Sequence, residues 1–215
     1  MRQFSINILL ILVCLLFAQP SWSAISGGVH YSIPVDYSQL TEDELVEKAR
    51  KHFFNALNAQ DGKITEDITN ALVTYTALSK INPNSLEYPI KLGILYDKLE
   101  KDRYAKGNFS RAIGIDSTAP GPYFYLGEYY YKRKSYRKAL KYYSEAFKRG
   151  FSSDYDTLYK MGDIYQKFGD TRSALKYLQE ASSKNPNPTL ENKIKKIEAE
   201  HAINKEFYSN TRIRG

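Results

Sequence analysis

The sequence predicts an all-α fold built from repeated helix pairs, and two observations carry this prediction. First, three consecutive segments align with one another, namely residues 86–119, 120–153 and 155–188. Second, the apolar residues of each segment recur every three or four positions along two stretches, which is the periodicity of an amphipathic helix. A short repeat that contains two such helices indicates a stack of similar helix pairs.

Glycine and alanine mark the repeat most clearly. Gly93 and Gly127 are 34 residues apart, and Gly162 follows Gly127 after 35 residues. Matching residues at fixed distances from these glycines form five columns: Leu92, Leu126 and Met161; Tyr96, Tyr130 and Tyr165; Ala105, Ala139 and Ala174; Phe109, Tyr143 and Leu178; Ala112, Ala146 and Ala181. Small residues allow paired helices to approach closely, and the large residues fill the gaps between successive pairs. We therefore expect these columns to form the core.

These columns resemble the tetratricopeptide repeat family, whose unit is a helix–turn–helix of about 34 residues. The resemblance covers residues 86–188 as three repeats and implies an α-solenoid of antiparallel helix pairs. The segment departs from the family pattern in two ways. The usual aromatic residue before the leucine column is Pro89 in the first repeat and Leu158 in the third, and the closing proline occurs only as Pro186. Pro89 falls in a first helical turn, where a missing amide donor costs little.

The segments upstream of the repeats divide into a linker and a further helix pair. Residues 24–41 are rich in Gly, Ser and Pro and are interpreted as a linker. Residues 42–85 predict a degenerate or capping helix pair, because Ala71, Tyr75 and Pro83 fall where the repeat pattern would place them. A turn is expected between the two helices, with Gly62 as the C-cap of the first.

The segment downstream of the repeats predicts one more helix, over residues 189–207. Thr189 is its expected N-cap. Three apolar side chains share one face of this helix, and they are Leu190, Ile194 and Ile197. A polar-backed helix of this kind is typical of the end of a stacked array, where it covers the last apolar face. Residues 208–215 are expected to form a flexible tail.

The N-terminus of the chain predicts export. Arg2 precedes an almost unbroken apolar run from Ile6 to Ala18, and small serines stand just before Ala24. This pattern is typical of a secretory signal peptide over residues 1–23, cleaved before Ala24. The alternative, an uncleaved anchor, would need about 20 apolar residues. We therefore expect a protein of the bacterial periplasm or a secreted protein, without a transmembrane segment in the mature chain.

Cysteine content and charge restrict the chemistry of the mature chain. Cys14 is the single cysteine and lies within the signal peptide, so that neither a disulfide nor a sulfur-bound metal is expected. The net charge of the whole chain is +7, which attracts anionic surfaces but does not specify a partner. Export disfavours nucleic acid as a target and leaves anionic envelope components available.

Catalytic and metal-binding patterns are not found in the sequence. The histidines, His30, His52 and His201, match no metal-ligand spacing, and no nucleophile, zinc or phosphate-binding motif occurs. The stretch around Gly62 resembles the centre of a calcium loop, but its flanks lack the required oxygen ligands. We therefore expect a protein that is not an enzyme and has no cofactor and no metal site.

The resemblance implies a partner-binding groove, because the first helices of tetratricopeptide repeats line a concave surface that takes peptides or partner helices. The side chains expected to face this groove are Ile90, Ile94, Asp97 and Lys98 from the first repeat, Phe124, Glu128, Tyr131 and Lys132 from the second, and Tyr159, Asp163, Gln166 and Lys167 from the third. Lys98, Lys132 and Lys167 fall in one column that could receive acidic groups; alternatively, they are solvated lysines paired to neighbours. The Lys/Asn and Lys/Arg clamp of chaperone-tail-binding members is absent. The mixed composition favours a mixed peptide or an amphipathic helix.

The predicted function is therefore that of an exported, non-catalytic scaffold that binds a protein partner and helps assemble an envelope complex. One stretch favours an alternative: residues 123–150 contain eight tyrosines and eight Lys or Arg residues. A basic surface could bind anionic lipid, glycan or nucleic acid through residues of this stretch, namely Lys132, Arg133, Lys134, Arg137, Lys138 and Lys141. Helical periodicity instead assigns Tyr123, Tyr130 and Tyr143 to core columns and Tyr131 to the groove. It places the basic residues around the turn at Lys134 and on the outer, solvated side of the second helix.

Overall fold

The structure, a computed structural model, describes residues 40–212 and the side chains of residues 40–204. Within this range the chain is helical and contains no β-strand, which confirms the all-α fold class. The helices are α1 (Glu42–Leu57), α2 (Glu66–Ile81), α3 (Glu87–Lys98), α4 (Asp102–Ile115), α5 (Pro120–Lys132), α6 (Tyr136–Lys148), α7 (Tyr155–Lys167), α8 (Thr171–Lys184) and α9 (Pro188–Arg212). The predicted signal peptide and nearly all of the predicted linker lie outside the described residues.

Consecutive helices pack in pairs, α1 with α2, α3 with α4, α5 with α6, and α7 with α8. Connections as short as residues 99–101 make the two helices of a pair antiparallel. The pairs form two compact units, unit one up to Ile115 and unit two from Asp116 onward. Unit one therefore contains α1 to α4, and unit two contains α5 to α9.

Glycine sets the close approach of the two helices in a pair. A Cβ atom placed on Gly93 of α3 would lie 2.5 Å from the Phe109 ring of α4, so only glycine fits against this buried ring. The same contact recurs in unit two at the pairs Gly127–Tyr143 (2.6 Å) and Gly162–Leu178 (2.7 Å). At each repeated glycine, a large side chain of the second helix thus packs directly against the backbone of the first helix.

Most of the predicted columns are buried, but the tyrosine column is only half-buried. Tyr130 stacks on Tyr142 with ring centroids 5.4 Å apart, and Tyr165 stacks on Tyr177 at 5.5 Å. Tyr96 makes a similar contact with its own second helix, on Tyr104 at 5.1 Å. These half-buried rings pack at the edge of each helix pair.

The ends of α1 and α9 differ from the expected ones. Helix α1 ends at Leu57 with Asn58 as its C-cap, and Gly62 lies further along the connecting turn with φ +76°. The expectation that Gly62 caps α1 is therefore wrong. Helix α9 begins at Pro188, and its cap is Asn187, two residues before the predicted cap Thr189. The Asn187 side-chain oxygen accepts from the Leu190 amide at 2.8 Å.

Helix α9 covers the end of unit two. Its residues Leu190, Ile194 and Ile197 are buried in one cluster with Leu158 of α7 and Leu178 of α8. The helix runs on to Arg212, into the segment that the sequence suggested as a flexible tail. This helix therefore belongs structurally to the last pair, and it brings its own polar side chains to the edge of α7.

Candidate partner-binding faces

The groove residues expected in unit two lie along α5 and α7, and most of them are at least half-buried. Phe124, Glu128, Tyr131 and Lys132 belong to α5, and Tyr159, Asp163 and Lys167 belong to α7. Lys132 and Lys167 are exposed, whereas Asp163 is buried. We call this surface the unit-two face.

A buried carboxylate joins three helices on the unit-two face. Asp163, whose exposed fraction is 8 %, accepts a hydrogen bond from the Tyr131 hydroxyl at 2.6 Å and from Lys193 Nζ at 2.8 Å. Lys167 Nζ lies 3.3 Å from Asp163 Oδ2, the oxygen that also accepts from Tyr131, whereas Lys193 binds Oδ1. Buried charge is stable only when it is paired and hydrogen-bonded. Asp163 is satisfied by residues of α5, α7 and α9.

This network shifts the pKa values of two of its members. Burial raises the pKa of Asp163, but the hydrogen bonds from Lys193 and Tyr131 and the charge of Lys193 outweigh it, so that this pKa lies below its ordinary value. Burial and the hydrogen bond to Asp163 raise the pKa of the Tyr131 phenol. At neutral pH the network therefore contains a carboxylate and a protonated phenol.

A second carboxylate on the unit-two face is satisfied in the same way. Glu128 accepts a hydrogen bond from the Tyr143 hydroxyl, and Lys160 Nζ lies 3.3 Å from its other oxygen. The same ammonium group lies 4.3 Å from the centre of the Tyr131 ring. Burial and the charge of Glu128 raise the pKa of Tyr143. Two acidic groups expected to meet a partner are thus bonded within the unit.

Aromatic rings form the remaining part of the unit-two face. Tyr159 stacks on Tyr155 with centroids 6.0 Å apart, and Lys193 Nζ lies 5.0 Å from the Tyr159 ring. Phe124 packs against the Tyr143 ring at 5.9 Å. Sequence reasoning missed Lys193 because it belongs to α9, outside the repeat; its position next to the apolar stripe of α9 is the signal that could have indicated it.

The groove residues expected in unit one lie on α3. Ile90 and Ile94 are half-buried, and Lys98 Nζ lies 2.9 Å from an Asp61 carboxylate oxygen in the turn after α1. In unit two, Lys167 is likewise paired with Asp163. Lys98 and Lys167 therefore follow the alternative of lysines paired to neighbours.

A pocket of about 370 Å³ in unit one is lined by residues of α1, α2 and α3. Its lining residues are Arg50, Phe53, Phe54, Leu57, Tyr75, Glu87 and Lys91, and we call it the unit-one pocket. Phe54 and Leu57 are exposed, and the Tyr75 hydroxyl is buried with no hydrogen-bond partner among the described residues. The sequence did not indicate this pocket, because α1 does not follow the repeat columns.

The basic stretch in unit two forms a shallow surface at the turn between α5 and α6. Lys134, Arg137 and Lys138 are exposed there, next to the exposed ring of Phe168. Arg133 is bound differently, since its guanidinium lies 3.7 Å from the centre of the Tyr129 ring. The tyrosine-rich stretch thus divides into packed rings and a smaller exposed basic cluster.

Across residues 40–204, the His, Asp and Glu side chains do not form a group of three that could hold a metal ion. Within residues 40–212, none of the helices combines the length and the apolar character needed to cross a bilayer.

Comparison with known proteins agrees with the helix-pair architecture. Residues 156–188, which lie within the third aligned segment, match the sequence model of the tetratricopeptide repeat. A search of curated proteins finds no sequence match. The resemblance seen in the sequence is thus supported independently for one of the three repeats.

Solved structures show the same fold. The crystal structure of MamA protein is 20% identical with a TM-score of 0.53, covering 67% of this chain and 73% of that one. TTC0263, a thermophilic TPR protein in Thermus thermophilus, is 16% identical with a TM-score of 0.56, covering 73% and 81%. YrrB, described as a TPR protein with an unusual peptide-binding site, is 25% identical with a TM-score of 0.50, covering 54% and 59%. The fold class is that of a tetratricopeptide-type α-solenoid.

Proposed function

We propose that this protein is a non-catalytic interaction module that binds a peptide or a partner helix on its first-helix faces. The observation that carries the proposal is the helix-pair fold itself, with half-buried aromatic rings and charged groups side by side along α5 and α7. Aromatic anchors with polar neighbours are the composition of protein-binding surfaces. The likeness to YrrB, described as having a peptide-binding site, supports the same function.

The proposal includes export and a role in assembling a complex of the cell envelope. It rests on the signal-peptide pattern of residues 1–23. N-terminal sequencing of the protein recovered from its native compartment tests this part. A mature N-terminus at Ala24 is expected, and a cytoplasmic protein that still begins at Met1 would contradict export.

In-cell photocrosslinking tests the binding function. A benzophenone amino acid replaces Tyr159 on the unit-two face, and Lys176, an exposed residue of α8, serves as the control position. The proposal predicts a discrete protein adduct from position 159 and none from position 176. Adducts of equal intensity from both positions, or none from position 159, would contradict binding on this face.

A second candidate function is favoured by the exposed cluster of Lys134, Arg137 and Lys138. Helix α6 has no acidic residue in its first turn and no side-chain cap, so positive charge accumulates at its N-terminus. This surface could bind an anionic envelope component. Such binding should weaken steeply between low and physiological salt, whereas a salt-insensitive interaction would exclude this candidate.

A further inference from the structure

We propose that the unit-one pocket binds an acidic peptide segment in which an apolar side chain stands next to a carboxylate. The carboxylate is held by Arg50, Lys91 and the Tyr75 hydroxyl. The apolar side chain packs on Phe54 and Leu57. This inference rests on the proposed function, and it specifies the location and the chemistry of one binding site.

The hydroxyl group of Tyr75 is a buried donor that lacks an acceptor among the described residues. Its ring is fully buried between Phe53, at 5.8 Å, and Tyr88, at 6.1 Å, and its oxygen has no hydrogen-bond partner among the described residues. A buried polar group without a partner is rare and destabilising. Burial and the nearby Glu87 charge raise the pKa of Tyr75. The phenol therefore stays protonated and can donate a hydrogen bond. A partner that brings an acceptor oxygen satisfies this donor.

The charged side chains that line the unit-one pocket are mostly positive. Two cations and one carboxylate line it, and the ion pair between Arg50 and Glu87 is long, at 3.6 Å, with both side chains more than a third exposed. Such a pair is weak and easily exchanged. Lys91 has no ion-pair partner among the described residues, and its Nζ lies 4.4 Å from the centre of the Phe53 ring. The excess positive charge is complementary to a carboxylate.

An exposed apolar surface lies beside these charges. Phe54 is 68 % exposed and Leu57 is 44 % exposed, and both line the unit-one pocket one helical turn apart. Large exposed apolar groups that adjoin polar ones mark interaction sites. The volume of about 370 Å³ has room for one or two side chains of a partner.

A titration with designed peptides tests the proposal. The probe is an acetylated and amidated peptide of sequence GSFDSG, compared with GSFNSG, which lacks the charge, and GSADSG, which lacks the ring. Chemical-shift changes of the isotope-labelled full chain report binding. The GSFDSG peptide should bind about tenfold more tightly than either of the others, because each of them lacks one proposed contact. Equal affinity for all three, or binding by none, would overturn the proposal.

Two charge variants with matched charge loss separate a specific site from general attraction. Arg50→Ala with Lys91→Ala should weaken GSFDSG binding about tenfold or more. Lys51→Ala with Lys106→Ala, two exposed lysines of α1 and α4 that do not line the pocket, should leave the affinity unchanged. Equal losses in both double variants would show that only net charge attracts the peptide, and would overturn the proposal.

The variant Tyr75→Phe separates binding from folding. It removes only the unpaired hydroxyl, so the melting temperature should stay the same or rise, while GSFDSG binding should fall several-fold. An unchanged affinity in a stable variant would overturn the role of Tyr75. A photocrosslinked adduct at Tyr159 would still support the interaction function if the pocket failed, so the two claims fail separately.

The chain itself offers a competing occupant. Residues 33–36 read Ile-Pro-Val-Asp and stand a few residues before α1 in the sequence. Like the probe, they combine an apolar side chain with an adjacent carboxylate. If Asp36→Asn strengthens GSFDSG binding about tenfold, the segment occupies the pocket, and the proposal of an external partner is overturned. If Asp36→Asn leaves the affinity unchanged, an external acidic peptide remains the occupant.

Discussion

Unit one and unit two are both built from helix pairs, but the polar groups on their first helices are hydrogen-bonded to different extents. On the unit-two face, Asp163 and Glu128 are bonded to phenols and ammonium groups of the same unit. In the unit-one pocket, the Tyr75 hydroxyl has no partner among the described residues, and Phe54 and Leu57 are exposed. The two units therefore repeat the same core but have different surfaces, so they can bind different partners.

The difference arises from the helices at the ends of the described chain. Helix α9 brings Lys193 to Asp163 and buries its own apolar stripe against α7 and α8. Helix α1, by contrast, carries two adjacent phenylalanines, and only Phe53 is buried. An amphipathic helix can bury one face against its partner, so Phe54 is left for another contact. Helix α9 thus pairs the buried charge of the unit-two face, whereas α1 leaves an apolar side chain of the unit-one pocket exposed.

The largest expected effect comes from the helix crossing that both units share. Gly93→Ala places a Cβ 2.5 Å from the Phe109 ring, so we expect a loss of about 1–3 kcal/mol in the free energy of unfolding. Chemical denaturation measures this loss. Gly107→Ala on α4, where nothing lies within 4 Å, is the control and should gain up to about 1 kcal/mol from helix propensity. A neutral Gly93→Ala would show that the crossing has room to adjust.

The next effect is confined to unit two. Asp163→Asn removes the charge that Lys193 and Lys167 contact, and should cost about 2 kcal/mol in the free energy of unfolding. Lys193→Met should cost less, and Lys195→Met, a change at an exposed residue of α9, should cost almost nothing. Equal effects of the two lysine variants would contradict the Asp163–Lys193 contact.

The acid dependence of stability tests the same network. Because the folded pKa of Asp163 lies below its ordinary value, the unfolded chain binds the proton more readily. The contribution of Asp163 is therefore complete above the unfolded pKa, near 4, and is lost as the pH falls through the folded pKa. Denaturation from pH 7 to pH 3 should show a smaller decrease in stability for Asp163→Asn than for the unchanged chain. An identical decrease in both proteins would contradict the network.

A smaller effect distinguishes the turns of the three repeats. The turn residue after the first helix has positive φ in each, +56° at Glu100 and Lys134 and +76° at Gly169. Only glycine adopts this conformation without strain. Lys134→Gly should raise the free energy of unfolding by up to about 1 kcal/mol, and Gly169→Ala should lower it by a similar amount. Thermal denaturation checks both, and a shift of the same sign in the two variants would contradict this account.

The sequence predicts the core well, because burial repeats the same residue types at the same spacing. Gly127 and Tyr143 could be paired from their columns alone, as the structure shows. The surface contacts could not be predicted in this way. Lys193 reaches Asp163 from a helix outside the repeat, and the unit-one pocket depends on α1, whose residues follow no column. Contacts made by helices that do not follow the repeat pattern cannot be predicted from that pattern, and they are seen only in the structure.

Helix ends were predicted less well, since several residues compete to cap them. Asn187 and Thr189 both suit the start of α9, and the structure selects Asn187 because Pro188 then occupies the first helical position. In the same way, Asn58 ends α1 before Gly62 is reached. Propensity alone does not decide between neighbouring residues that suit the same role.

The contrast between the two units is tested most directly by mapping where the GSFDSG peptide binds on the full chain. The account predicts that the largest amide chemical-shift changes occur in α1, around Arg50 to Leu57, and in α3, around Glu87 to Lys91. Signals of α5 and α7 should change little, because Glu128 and Asp163 are already bonded within unit two. Changes confined to α5 and α7, with α1 unaffected, would contradict the account.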